Sequence, residues 1–118
     1  MNSVLAITTL SHMVEHIFAG ASILFPLIIA DLNLSYTEFG VATAVPSLIG
    51  GLSQMFFGAI SRRIARHVLL GLGNILQGFG AFFTGLANNS MHFLSARTVA
   101  SVGVAPQHPM GVAIITER

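Results

Sequence analysis

Cysteine, lysine and tryptophan are absent from the 118 residues, and charge of either sign is scarce. Without cysteine the chain forms no disulfide and offers no thiolate to a metal, so the sequence carries no redox signal of its compartment. The five cations are all arginine and the net charge is +1, which leaves no long basic face for nucleic acid. Without tryptophan, an aromatic belt at a membrane interface rests on phenylalanine and Tyr36. Charged residues make up 8% of the chain, against about 25% in soluble domains. So few charges cannot clothe a surface for water. With 53% hydrophobic residues and a mean hydropathy of +0.80, the expected solvent is lipid.

What is present follows that lead. Residues 39–61 and 67–96 contain no Asp, Glu, Lys or Arg. A span needs roughly 20 mainly apolar residues to cross a core about 30 Å thick. The expectation is an all-α, polytopic membrane protein with four transmembrane helices, at about 4–30, 38–61, 67–87 and 91–115. The third and fourth divide at Asn88-Asn89-Ser90, three polar residues that suit a turn better than a midplane. No cation precedes the first apolar run, and His12, Glu15 and His16 interrupt it, so a cleaved signal peptide is not expected. Arg62, Arg63 and Arg66 lie between helices two and three and Arg118 follows helix four, while the other loops hold Asp31 and Glu38. Positive charge favours the inside, which predicts both termini in the cytoplasm.

Helix three repeats glycine at Gly71, Gly78 and Gly85, with Gly73 and Gly80 offset by two. A sevenfold spacing drifts only about 20° per step, so Gly71, Gly78 and Gly85 are expected to form the stripe on which another helix packs. Pro26, Pro46, Pro106 and Pro109 fall in or near helices one, two and four, where each removes a backbone donor and invites a kink.

The ionisable residues in the spans are few. His12, Glu15 and His16 share an arc of about 100° on helix one. Glu15 lies roughly 16 Å from the helix start, near midspan, where a carboxylate must face protein or a watery cavity. On helix four, Arg97 comes within modest reach of that depth, and His108 stands lower, between Pro106 and Pro109. Gln54, Asn74, Gln77 and Gln107 add uncharged polar groups. The string His-x-x-Glu-His at residues 12–16 also reads as a zinc-peptidase helix. That chemistry needs a further ligand, and Asp31, Glu38 and Glu117 sit at membrane edges. No metal, cofactor or catalytic residue is therefore expected, and the chain is read as no enzyme. Two readings stay open for the cluster. His12, Glu15, His16, Arg97 and His108 line a proton or substrate pathway, or a Glu15–Arg97 pair merely orients helices.

The loop Gly58 to His67, GAISRRIARH, resembles the signature loop of the major facilitator superfamily, Gly-x-x-x-Asp-Arg-x-Gly-Arg-Arg/Lys. Gly58, Arg63 and Arg66 match and His67 takes the last basic place, while Arg62 replaces the acid and Ala65 the second glycine. Arg97-x-x-x-Ser101-x-Gly103 resembles the family's Arg-x-x-x-Gly-x-Gly pattern, and GVAPQHPMG is similar to members of the fosmidomycin-resistance type. The resemblance runs in order over the whole chain. It implies twelve helices in two halves with solute bound near the midplane between them. Residues 1–118 then correspond to an incomplete N-terminal bundle, a fragment whose partners are the lipid bilayer, a small-molecule solute and the remaining helices. The expected function is proton-coupled transport of a small solute. The alternatives are a four-helix small multidrug-type antiporter working as a dimer through Glu15, and a membrane assembly subunit that transports nothing.

Overall fold

The computed structural model describes residues 3–116. Glu117 and Arg118, the latter counted above among the cytoplasmic charges, lie outside the described residues. Helix one is α1 (Ser3–Gly20), a single 3-10 turn (Ala21–Leu24) and α2 (Phe25–Asp31); helix two is α3 (Tyr36–Ile60); helix three is α4 (Arg66–Gly85). Helix four is two pieces, α5 (Ser90–Val104) and α6 (Gln107–Thr116). Among the described residues every regular element is helical. Stretches 3–31, 36–60 and 66–85 are long and apolar enough to cross a membrane. The fourth expected span is interrupted, because Pro106 has no N–H to continue the ladder of α5. The chain is an integral membrane protein, elongated to 49 × 28 × 17 Å.

Local chemistry explains where the helices stop. Asn33, with φ of 50°, follows α2, and Leu34 N–H reaches back to the Ile29 carbonyl at 3.0 Å. This left-handed close satisfies carbonyls that the helix end orphans, and asparagine tolerates the conformation. Two residues later Ser35 opens α3 with a reciprocal cap: its Oγ accepts from Glu38 N–H at 3.1 Å, and its own N–H donates to Glu38 Oε2 at 2.8 Å. Asn89 caps α5 through Oδ1, accepting from His92 N–H at 2.9 Å. These three devices lie at one end of the bundle, and each sits in a loop that the sequence marks as polar.

Packing is densest between α4 and α5. A Cβ built on Gly73 would stand 2.5 Å from the Gly103 carbonyl oxygen and 2.6 Å from Pro106 Cγ, and one on Gly80 would run into the backbone of Ala100. Gly103 meets Gln77 and Gly73 just as closely from the other side. The close contact therefore follows Gly73 and Gly80, and the expected stripe is corrected. Gly71 and Gly85 meet nothing within 4 Å among the described residues, and Gly78 touches only the Phe18 ring, at 3.6 Å. Both stripes share the sevenfold period and lie about 200° apart at about 100° per residue, and the close contact follows the stripe that the expectation left aside. Apolar clusters close the two ends of the bundle. Leu34, Ala42 and Phe93 pack at one, and Leu69, Leu70 and Met110 at the other. Between them lies a polar waist.

Candidate functional site

Glu15 is the one buried residue of α1 and is only 6% exposed. One helical turn back on the same face, His12 Nδ1 stands 2.9 Å from Glu15 Oε2. The approach lacks hydrogen-bond alignment, so Oε2 has no donor although an imidazole is beside it. His108, in the first turn of α6, brings Nε2 to 3.7 Å from Glu15 Oε1. His16 continues the chain outward, its Nε2 3.0 Å from His12 Nε2. The rings of His12 and His16 meet edge to face at 4.5 Å, and those of His12 and His108 at 5.9 Å. The carboxylate is thus buried while all three imidazoles are exposed. Four of the five pathway residues named from the sequence come together here. Among the described residues no grouping of His, Asp and Glu is arranged to hold a metal ion.

The fifth stands apart. Arg97 does not pair with Glu15; its Cζ lies over the Phe25 ring, 4.9 Å from the centroid. The expected Glu15–Arg97 pair is corrected on this point. Glu15 is already served by histidines from α1 and α6, and the arginine stem turns toward the aromatic cluster of Phe25, Phe39 and Phe93, whose rings meet edge to face. A guanidinium over a ring face gains a cation–π contact. Both residues nonetheless border one cavity of about 330 Å³ between α1, α3, α4 and α5, lined also by Ser47, Gln54, Gln77 and Ser101.

Below Glu15 a closed ring of hydrogen bonds ties α1, α4 and α6. Asn74 Nδ2 donates to Ser11 Oγ at 2.8 Å, Ser11 Oγ donates to Gln107 Oε1 at 3.2 Å, and Gln107 Nε2 donates to Asn74 Oδ1 at 2.5 Å. One turn up, buried Gln77 donates to the Glu15 carbonyl at 3.3 Å while its own Oε1 has no partner. Ser11 escaped the sequence reading. Its signal was spacing: Ser11 and Glu15 lie four apart on α1, as Asn74 and Gln77 lie three apart on α4, so each pair shares a face.

The signature loop folds as a tight turn after α3. Ser61 Oγ donates to the Gly58 carbonyl at 2.7 Å, and Arg63 N–H to Ile60 at 2.9 Å. Arg62 and Arg63 are exposed and Arg66 is half-buried at the start of α4. Among the described residues no acid stands in the first turn of α4 and no side chain caps it, and Arg62 brings a cation toward that positive helix end where the family pattern has an acid. A model of the Major Facilitator Superfamily matches residues 5–118. The chain belongs to this superfamily. This facilitator chain is also 32% identical over 87 residues to a probable L-galactonate transporter of Escherichia coli (strain K12). That match covers 74% of the chain and 19% of the relative, so the chain spans about a fifth of that protein's length. No solved structure matches it.

Proposed function

We propose that this chain is part of a transporter that moves a small solute across a membrane, and that a proton carried on Glu15 is coupled to the movement. One observation carries the reading: a carboxylate 6% exposed, midway along an apolar helix, contacted by two imidazoles and bordering a cavity. Ionisable groups at such depth are costly and mark ion or proton pathways. Oε2 of Glu15 lacks a donor; a proton placed there makes it one and removes a buried charge. His12 lies 2.9 Å from Glu15 and His16 3.0 Å from His12, so rotating the exposed His12 ring into line with Oε2 would join the imidazoles to the carboxylate as a proton path. Membership of the family and likeness to a probable L-galactonate transporter support transport over catalysis.

The remaining parts of the reading follow from these. Further helices complete the pathway, since secondary transporters bind solute between two halves. The arginine loop faces the cytoplasm of a prokaryotic cell, with both termini on the same side. The likeness of the Gln107-His108-Pro109 segment to fosmidomycin-resistance-type members rests on those residues alone. Membership of the major facilitator family stands against the small multidrug-type alternative. A purely structural role keeps one observation in its favour, the Ser11–Asn74–Gln107 ring, which holds three helices without any ionisable group.

Uptake into proteoliposomes by the full-length transporter that contains this chain, under an imposed pH gradient, tests the proposal, with L-galactonate, the solute named for the relative, as first probe. Glu15→Gln is expected to abolish gradient-driven accumulation while leaving solute exchange at zero gradient. Accumulation that survives in Glu15→Gln would sink the proton role. Loss of helix association with no change in transport would favour the structural reading.

A further inference from the structure

Two buried side-chain atoms have no hydrogen-bond partner among the described residues, and both are acceptors: Oε2 of Glu15 and Oε1 of Gln77. The two residues lie against one another. Gln77, 2% exposed, donates through Nε2 to the Glu15 backbone carbonyl at 3.3 Å, and both residues line the cavity of about 330 Å³. A buried acceptor without a partner is costly, and two of them side by side ask for a donor. An ionised carboxylate only accepts, whereas a protonated one carries an O–H that donates. A proton on Glu15 therefore supplies what the pair lacks.

The groups around Glu15 divide by the charge state they suit. His12 and His16 stand on α1, His108 on α6, and Arg97 of α5 borders the same cavity. α3 carries no ionisable group over 39–60 and α4 none over 68–85. Protonated His12 and His108 attract the ionised carboxylate. The amide oxygen of Gln77 repels that carboxylate and attracts the acid. We propose that Gln77 is the positioning residue for the proton on Glu15: its Oε1 accepts the carboxyl O–H in the protonated state, and the histidines hold the carboxylate in the ionised state. The inference rests on the transport reading and deepens it, by naming what distinguishes the two states of Glu15. The cavity leaves the carboxyl room to turn about its side-chain bonds. Protonation then moves the Glu15 side chain from His108 of α6 to Gln77 of α4, and releases one tie between α1 and α6. The Ser11–Asn74–Gln107 ring, which has no ionisable member, holds those helices in both states.

The full-length transporter that contains this chain is the material for the test. Infrared difference spectra of the protein in detergent, taken on acidification, report the carboxylic C=O band of Glu15, assigned by its loss in Glu15→Gln. In the unsubstituted protein that band is expected at the lowered frequency of a hydrogen-bonded acid. Absence of the band, or a free-acid frequency, overturns the proposal without any variant at Gln77. Gln77→Met keeps the side chain's length and replaces the amide with a weak acceptor. It should raise the band frequency, and raise the proton concentration for half-maximal uptake about three- to tenfold. An unmoved or lowered proton requirement overturns the proposal. Ser11→Ala opens the polar ring one turn away and controls for helix packing; it should leave both readouts unchanged. An equal shift there makes Gln77 a packing residue and overturns the proposal too. Accumulation that survives in Glu15→Gln sinks the transport reading whatever Gln77 does. Accumulation lost in Glu15→Gln, with an unmoved proton requirement in Gln77→Met, removes this inference alone.

Discussion

At the scale of the residue, Glu15 and its three histidines differ in what each can do. His12 touches the carboxylate directly at 2.9 Å and His108 approaches it from another helix at 3.7 Å, whereas His16 reaches it only through His12. His12→Ala should therefore lower gradient-driven uptake more than His16→Ala, with initial rates at saturating solute as the measurement. Equal effects would show that the imidazoles act as a shared charge and not as an ordered path. The cap at Ser35 belongs to this scale too. Ser35→Ala removes the acceptor for Glu38 N–H and should cost about 1 kcal/mol, read from denaturant titration of helicity in detergent. That Glu15 would be buried was legible in the sequence, because a lone carboxylate in an oily run must turn away from lipid. The sequence misdirected Arg97, since depth along two helices gives height but not rotation, and Phe25 competes for the guanidinium.

At the scale of the element, glycine separates two faces of α4. Gly73 and Gly80 let α5 approach until backbone meets backbone, while Gly71 lies in open space among the described residues. Gly80→Ala forces a methyl into the Ala100 backbone and should destabilise the bundle by about 1–3 kcal/mol. Gly71→Ala adds only helix propensity and should be neutral or slightly stabilising, by no more than about 1 kcal/mol. Resistance to denaturant in detergent distinguishes them, and an equal loss in both variants would restore the stripe predicted from the sevenfold spacing. The spacing was legible in the sequence, but both stripes share it. Which one is used depends on where Gly103 and Pro106 of the next element fall, and periodicity within one helix carries no such information. The break before α6 was announced by Pro106 and Pro109; that it delivers Gln107 and His108 side by side to α1 was not.

At the scale of the whole molecule, the bundle has apolar clusters at its ends and polar groups at its waist. The ends differ in charge, with arginines in the turn after α3 and carboxylates near the loop before it. The absence of cysteine makes orientation simple to measure. Arg62→Cys should react with an impermeant thiol reagent only from the cytoplasmic face, and Asn33→Cys only from the opposite face. Labelling of both from one side would reverse or abolish the proposed topology. The outer faces of α1, α3 and α4 expose large apolar side chains such as Ile17, Leu48 and Phe79, as expected where lipid or further helices take the place of water.

The sequence by itself determined that this chain lives in lipid, where its polar turns fall, and which few residues would be expensive there. Those properties follow from composition and from neighbours within about one helical turn, and each residue carries them wherever the helix goes. The tertiary structure alone decided the pairings: histidines and not arginine at Glu15, Gly73 and Gly80 as the packing face, and Ser11 as the third member of a ring with Asn74 and Gln107. Pairings depend on the rotation and height of one helix against another. Those are set by the close backbone contacts that glycine and proline permit, and no single segment encodes them.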